Sequence, residues 1–490
     1  MNSEDLINRL LTVEIKRKPY QHQIDALKLF YDKPNAFLFW EMGTGKTGGA
    51  ILLHRLRCIQ AGVFLPTVVI TPIVTITNWK NEYSLFSQFP EHRIKAITGS
   101  NSKSRLKKMG DLGEDILIIN YEALSSDEIR NKILDWGPTI VIVDEAHKIK
   151  SHDADRTKYV TQICDKAAYK IFMSGTPILN SIVDLYSPFR ALDGGETFGK
   201  SRNVFLNTYM YDANARMKTI PGVKYFPDWK PRPEKFDEIT QKIYAKANRK
   251  LKSECLDLPP LVEVVEYVGW GVDQKKAYDE MKRDFLTFVK TKSQDTPLAV
   301  VAELALTKAL RLLQIASGFV VTEDKAVIEF NSVPRLDKLS DLLLDLTPNH
   351  KVIVWSAYVH NYRMIERLCR QHDIKYVMLT GEQSTGEKDE SIASFQSDNS
   401  VRVIIANRRA GGIGINLTAA SYSIVFSRNF SLEDEEQSKA RNYRGGSEIH
   451  ERIVKIDLAI ENSIDDECLK ALKSKQSLST RIIDLKEDQL

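Results

Sequence analysis

The stretch Ala36-Phe37-Leu38-Phe39-Trp40-Glu41-Met42-Gly43-Thr44-Gly45-Lys46-Thr47 decides the fold. Five apolar residues run straight into a glycine-rich turn, and a helical sequence opens near Thr47. A short continuous apolar run fits a strand buried on both faces. Small residues in the turn let successive backbone N–H groups face a phosphate, and the helix start adds its dipole. Gly43, Thr44 and Gly45 form the cradle, Lys46 reaches the β- and γ-phosphates, and the Thr47 hydroxyl binds Mg²⁺. The general pattern wants glycine at position 40, where this chain has Trp40. Alone, the segment also fits a glycine-rich turn with a chance lysine.

Outward from this stretch, similar apolar runs alternate with helical sequence. Before residue 196 they are Ala36–Trp40, Thr67–Thr71, Ile116–Asn120, Ile140–Val143 and Lys170–Met173. After residue 335 they are Lys351–Trp355, Lys375–Leu379, Val401–Ala406 and Ser421–Phe426. Alternation of this kind predicts parallel α/β sheets, in two lobes. Between them, residues 196–335 mix aromatic and basic residues with prolines, then turn helical from Asp273 to about Lys292. The expected fold class is α/β, two parallel-sheet lobes with a mostly helical insertion between them. The expected divisions are lobe 1 over 1–195, the insertion and crossover over 196–335, lobe 2 over 336–470, and a brace or tail over 471–490.

The run Ile140–Val143 ends in Asp144-Glu145-Ala146-His147. Parallel sheets put ligands at the carboxyl ends of their strands. There Asp144 can hold Mg²⁺, Glu145 can orient and deprotonate an attacking water, and His147 can sense nucleotide state. An Asp-Glu pair after a strand is common in itself. Downstream, Gln437, Arg441 and Arg444 follow spacings of four and three, which would put them on one helical face. Arginines there can stabilise transition-state charge on a γ-phosphate, although alone the triad fits a solvated charged helix better.

Composition bounds the partners. Lys plus Arg number 69 against 65 Asp plus Glu, a formal +4, so any nucleic-acid-binding charge must be local. The five cysteines are scattered without a CxxC pair, which argues against zinc or a disulfide framework and suits a reducing compartment. The N-terminus lacks a signal-peptide pattern. No apolar run approaches the ~18 residues of a membrane span. The expectation is a cytoplasmic or nuclear protein, neither secreted nor membrane-bound.

Read in order, these residues resemble superfamily-two helicases of the Swi/Snf-type branch. Pro19-Tyr20-Gln21-His22-Gln23 looks like the adenine-reading Q motif. Glu41 to Thr47 resembles motif I of that branch, in which Glu/Asp-Met-Gly replaces the usual first glycine and so accounts for Trp40. Thr71-Pro72 with Asn78-Trp79 and Glu82 looks like motif Ia, and Asn120-Tyr121-Glu122 like a segment used on the DNA backbone. Asp144 to Lys150, in its DEAH form, resembles motif II; Ser174-Gly175-Thr176-Pro177 with Asn180 resembles motif III. Val352 to Ser356 looks like motif IV, Thr380-Gly381 with Phe395 like the next, Arg409 to Leu417 like motif V, and Gln437 with Arg441 and Arg444 like motif VI. Leu258-Pro259-Pro260, then Gln274 and Tyr278, is similar to the crossover. Three of these segments depart from the pattern: Asn407-Arg408 before motif V, Gly446-Ser447 after motif VI, and Ser174-Gly175 in motif III.

The resemblance implies two RecA-like lobes and a motor that hydrolyses ATP with Mg²⁺ and is stimulated by DNA. Lys46, Asp144, Glu145, Arg441 and Arg444 would be catalytic. Gln21, Gly43, Thr44, Gly45, Lys46, Thr47, Gly414 and Gln437 would bind the nucleotide, and Thr47 and Asp144 the metal. Asn120, Tyr121, Ser356, Gly381 and Arg409 would touch nucleic-acid phosphates. The implied work is translocation on double-stranded or branched DNA by a monomer in replication, recombination or repair, with proteins of those pathways as further partners. A strand-separating DNA or RNA helicase is the alternative, and a degenerate ATPase acting as a clamp is a third reading. The length leaves little room for chromatin-reader domains, so the expectation favours a compact genome-maintenance motor over a chromatin remodeller.

Overall fold

The computed structural model describes residues 3–12, 15–99, 101–175, 181–216, 227–292, 298–322, 326–408 and 415–483. The chain divides into two compact units, the first mainly Met1–Ala213 with Pro227–Leu256 and the second mainly Asp257–Gln476.

Unit 1 holds strands β1 (Asn35–Trp40), β2 (Thr67–Thr71), β3 (Ile94–Ala96), β4 (Ile116–Asn120), β5 (Ile140–Val143) and β6 (Tyr169–Met173), a small hairpin of β7 (Met210–Asp212) and β8 (Trp229–Pro231), and β9 (Ala247–Lys250). Seven of these form one sheet in the order β3-β4-β2-β5-β6-β1-β9, with every pairing parallel. Successive side chains point to opposite faces, and both faces are apolar here. Phe37, Phe39, Val141 and Val143 pack into one core, while Leu38, Trp40, Ile140 and Ile142 pack into the other. That double burial is why β1 and β5 read as unbroken apolar runs.

Unit 2 holds β10 (Leu261–Val268), a hairpin of β11 (Phe319–Val321) and β12 (Val327–Glu329), then β13 (Val352–Ser356), β14 (Tyr376–Leu379), β15 (Val403–Asn407), β16 (Tyr422–Val425) and β17 (Ile453–Ile460). Its six-stranded sheet runs β10-β17-β16-β13-β15-β14 and is again parallel throughout. The same alternation recurs, with Val352 and Val354 on one face and Ile353 and Trp355 on the other.

The α/β class with two parallel sheets is therefore as expected. The stretch 196–335 is mostly helical, with Arg202–Tyr209, Phe236–Tyr244, Val272–Lys292 and Leu298–Ala316 as its longer helices. It also gives an outer strand to each sheet, β9 and β10, which the sequence did not announce. Edge strands are covered on fewer sides, so Asn248-Arg249-Lys250 carry no apolar run, and Glu263 and Glu266 interrupt the one in half-exposed β10. At the other end, the helix Ile464–Ile483 runs across the expected boundary at residue 470. Among the described residues no helix is long and apolar enough to cross a membrane.

Candidate active site

The site grows from the end of β1. Gly43 and Gly45 take φ of 88° and 82°, a left-handed conformation that costs glycine little. The Thr44 hydroxyl ties the turn by donating to the Glu41 carbonyl at 2.8 Å, and the helix Lys46–Ala61 starts immediately after Gly45. Trp40 has room where the general pattern has glycine because Gly49 stands opposite it. A Cβ on Gly49 would lie 2.6 Å from the Trp40 ring. The indole N–H also donates to Asn248 Oδ1 of β9 at 2.9 Å. Thr47 is half-buried in the first turn.

Lys46 is buried beside the acidic pair. Burial lowers its pKa, and the carboxylates of Glu145 and Asp144 oppose that shift. Asp144, one residue past β5, accepts from the Thr71 hydroxyl and the Trp79 indole on the same oxygen, both at 2.9 Å. Burial, then the neighbouring Glu145 charge, pushes its carboxyl up. A lysine and two carboxylates thus meet at the carboxyl ends of β1 and β5. This donor set is the one needed for a polyphosphate and a hard divalent cation. Thr71 and Trp79 were legible only as part of a resembling motif; their grip on Asp144 is a tertiary contact.

Glu145 is fully buried and left-handed, φ 52° and ψ 55°. A non-glycine residue held there stores on the order of 1–3 kcal/mol. Its carboxylate lies 3.3 Å from His147 Nδ1, and the same nitrogen is 3.0 Å from the Ser174 hydroxyl. His147 therefore joins the acidic pair to the segment that resembles motif III, whose Thr176, Pro177 and Asn180 lie outside the described residues.

Ahead of β1, two unassigned side chains hold the turn. Gln23, buried, donates to the Gly45 carbonyl at 2.8 Å and accepts from the Tyr20 amide at 2.9 Å. The His22 ring bonds the Thr44 carbonyl at 2.8 Å, and burial holds its pKa below the ordinary value. Gln21 is exposed and donates to Asp25 at 2.9 Å. A helical sequence with two glutamines two residues apart has one on each side, and only packing shows which faces the turn.

In unit 2 the expected helical face of Gln437, Arg441 and Arg444 is corrected. The helix is Leu432–Lys439, capped at Ala440 with φ −78° and ψ 3°. Beyond it the chain folds back on residues 415–420. The Leu417 amide donates to the Arg441 carbonyl at 3.0 Å, Asn442 donates to the Ala420 carbonyl at 3.2 Å, and Arg444 donates to the Ile415 carbonyl at 3.2 Å. These bonds to a distant loop outcompete another helical turn. Gln437 stays on the helix, donating to Glu433 at 2.9 Å. Arg441 is only 3% exposed, which rules out a solvated helix face.

The expected nucleic-acid contacts divide. Asn120 and Tyr121 are 1% and 2% exposed, and Ser356 is 0% exposed with its hydroxyl 2.8 Å from that of Ser427. Their side chains are held inside and do not form a surface for phosphates: Asn120 and Ser356 end buried strands, and Tyr121 opens the 3-10 helix that follows β4. Gly381 is exposed, with open space where a Cβ would stand. Arg409 and Gly414 lie outside the described residues.

The profile of the SNF2-related domain matches residues 22–318, and that of the helicase conserved C-terminal domain matches 334–446. An uncharacterised ATP-dependent helicase of Mycoplasma genitalium is 26% identical over 447 residues, which are 89% of this chain and 39% of that one. Its counterpart in Mycoplasma pneumoniae is 25% identical, covering 98% of this chain and 44% of its own length. Chromodomain-helicase-DNA-binding protein 8 of Xenopus tropicalis is 26% identical over 93% of this chain and 21% of its own. The chain thus spans less than half the length of these relatives. A solved Sulfolobus solfataricus SWI2/SNF2 ATPase core in complex with dsDNA is 23% identical over 97% of each chain, with a TM-score of 0.43.

Proposed function

From the fact that this chain belongs to the SNF2-related family, we propose that it is an ATP-hydrolysing motor stimulated by DNA, which translocates on double-stranded DNA and remodels branched DNA or protein–DNA complexes. The observation that carries the reading is the meeting of buried Lys46 with Asp144 and Glu145 beside a glycine turn that opens a helix.

In this reading the backbone N–H groups of Gly43 to Lys46 and the Lys46 ammonium bind the phosphates. Glu145 takes the proton of the attacking water, and Gln21 faces the base. Arg441 and Arg444 stabilise the charge that develops on the transferred phosphoryl group, and Gly414 and Gln437 complete the nucleotide contacts. Mg²⁺, held through Thr47 and Asp144, would neutralise phosphate charge. The Asp144 carboxylate fits that task, since the Thr71 and Trp79 donors hold it in one orientation. Gly381 and Arg409 remain the proposed phosphate contacts. Such contacts carry little sequence information.

Relatives of this chain are named as helicases and as a chromodomain-helicase-DNA-binding protein, and the branched-DNA or protein–DNA substrate is part of the proposal. The test is the ATPase rate with no nucleic acid, single-stranded DNA, duplex DNA, a four-way junction and RNA. Lys46→Ala runs alongside each. Duplex or junction stimulation that Lys46→Ala lowers at least roughly 100-fold is the expected result. Stimulation by single strands or RNA alone would replace the translocase with a strand-separating helicase.

A further inference from the structure

Tyr121 sits in a segment that resembles a nucleic-acid contact, yet its ring is inside unit 1. Its hydroxyl donates to the main-chain carbonyl of Asp144 at 2.5 Å and lies 3.5 Å from that of Glu145. Those carbonyls flank the left-handed backbone of Glu145. Main-chain bonds also hold the backbone of this stretch: the Asp144 amide donates to the Ile70 carbonyl at 2.9 Å, and the Lys148 amide to the Glu145 carbonyl at 2.9 Å. Both are main-chain bonds within the sheet and the turn. The Tyr121 bond differs from these in coming from a side chain, and from the Thr71 and Trp79 bonds in reaching the main chain and not the Asp144 carboxylate.

The other end of that segment reaches the surface. Tyr121 opens the short 3-10 helix Tyr121–Ser125. The next residue, Glu122, is exposed and pairs with Arg156 at 3.2 Å, while Asn120 donates to Glu122 at 2.8 Å. The Arg156 guanidinium also covers the Tyr121 ring, 5.6 Å from its centroid. Arg156 is 40% exposed, so an anion can reach it. A backbone phosphate would compete with Glu122 for that guanidinium and draw it off the Tyr121 ring.

We propose that Tyr121 is a positioning residue that couples the Arg156–Glu122 surface pair to the backbone conformation of Glu145, so that a nucleic-acid phosphate at Arg156 sets the aim of the water-activating carboxylate. This rests on the motor reading above. It replaces direct DNA contact by Tyr121 with an inward link of one hydrogen bond. A core tyrosine that merely satisfies a buried carbonyl has the same geometry, and the two are separated by what they do to stimulation.

The experiment measures ATPase of the whole chain at saturating ATP against increasing duplex DNA, for wild type, Tyr121→Phe and Arg156→Ala. Linked sites commonly couple by roughly 5–150-fold. Tyr121→Phe is expected to lower the ratio of DNA-saturated to DNA-free rate about tenfold, within that range. Its KM for ATP and half-stimulating DNA concentration should stay as in wild type. Arg156→Ala is expected to raise the half-stimulating concentration. A wild-type stimulation ratio in Tyr121→Phe would overturn the proposal. So would a loss of both rates by one factor, which is what damaged packing alone produces, or an unshifted half-stimulating concentration in Arg156→Ala. A wild type that DNA does not stimulate would sink the motor reading itself, a failure distinguishable from these.

Discussion

Strands β5 and β17 are both interior, parallel and wholly buried, but they handle charge in opposite ways. In β5 the four residues Ile140 to Val143 are apolar, and the charges of Asp144 and Glu145 begin just past the strand end. In β17 the charges of Lys455 and Asp457 lie within the strand. They are consumed by other charges: Lys455 pairs with Glu435 and, at 2.9 Å, with Asp457; Arg428 lies 3.1 Å from Asp457; Arg408 pairs with Glu435 at 2.8 Å. Burial alone would push the Glu435 carboxyl up, yet Arg408, Lys455 and Arg428 together hold it well below the ordinary range. The comparison teaches that buried charge at a strand end facing a turn stays available for the proposed chemistry, whereas charge inside a strand is closed into a network that serves architecture. Glu435 shares a helix with Gln437, so β17 anchors the segment that carries a proposed nucleotide contact. Arg408, one of the departures from the resembling family, is absorbed in the same way.

The largest expected effect lies in that network. Removing one partner of a buried ion pair commonly costs about 3–5 kcal/mol, so Asp457→Ala should lower the stability of unit 2 by that order in urea unfolding. The double variant Lys455→Met with Asp457→Leu should cost less than Asp457→Ala alone, because it leaves fewer uncompensated charges. If the double variant is the worse one, the network is not what holds β17.

Next comes a buried ionisable group of unit 1. His54 lies on the helix that follows the glycine turn, its ring 3.0 Å from the Thr67 hydroxyl and 3.1 Å from that of Tyr83. Burial lowers its pKa from 6.5 to about 3. The folded state then binds fewer protons than the unfolded chain between those values. Its stability is complete above pH 6.5 and falls as pH drops toward 3, by about 1.4 kcal/mol per unit. Between pH 7.5 and 5, unit 1 of wild type should lose about 2 kcal/mol from this group. His54→Leu should remove that increment whatever its effect at neutral pH, and equal acid losses in the two proteins would refute the assignment. The smallest effect is expected inside β5: Ile142→Val should cost about 0.5–1.5 kcal/mol by the same urea measurement, since only a methylene is lost. A larger loss would mean that β5 positions Asp144 as well as burying apolar surface.

Most of the inner strands were legible from the chain. The runs read for β2, β4 and β5 coincide with the strands observed, and those for β1, β6, β13, β14, β15 and β16 differ by a residue or two at their ends. β17 was missed because Lys455 and Asp457 break the apolar run, and β3, β9 and β10 because they are short or lie at or near a sheet edge. In the site, Asp144 and Glu145 were readable because they follow an apolar run at once, and Lys46 because it closes a glycine turn that follows one. Gln23, His22, Thr71 and Trp79 entered only as members of resembling motifs, since nothing in their own neighbourhoods points to the groups they hold.

By itself the amino-acid sequence determined the two α/β sheets, the glycine turn at 43–45 and the acidic pair at 144–145, because apolar runs and turn residues act on their immediate neighbours in the chain. Only the tertiary structure decided that Tyr121 faces the acidic pair and not the surface, that the chain past Lys439 leaves its helix for the 415–420 loop, and that Lys455 and Asp457 belong inside a sheet. Each of these depends on a polar side chain finding a partner far away in the chain. Burial makes such pairing obligatory, but the local sequence does not say which partner will be near.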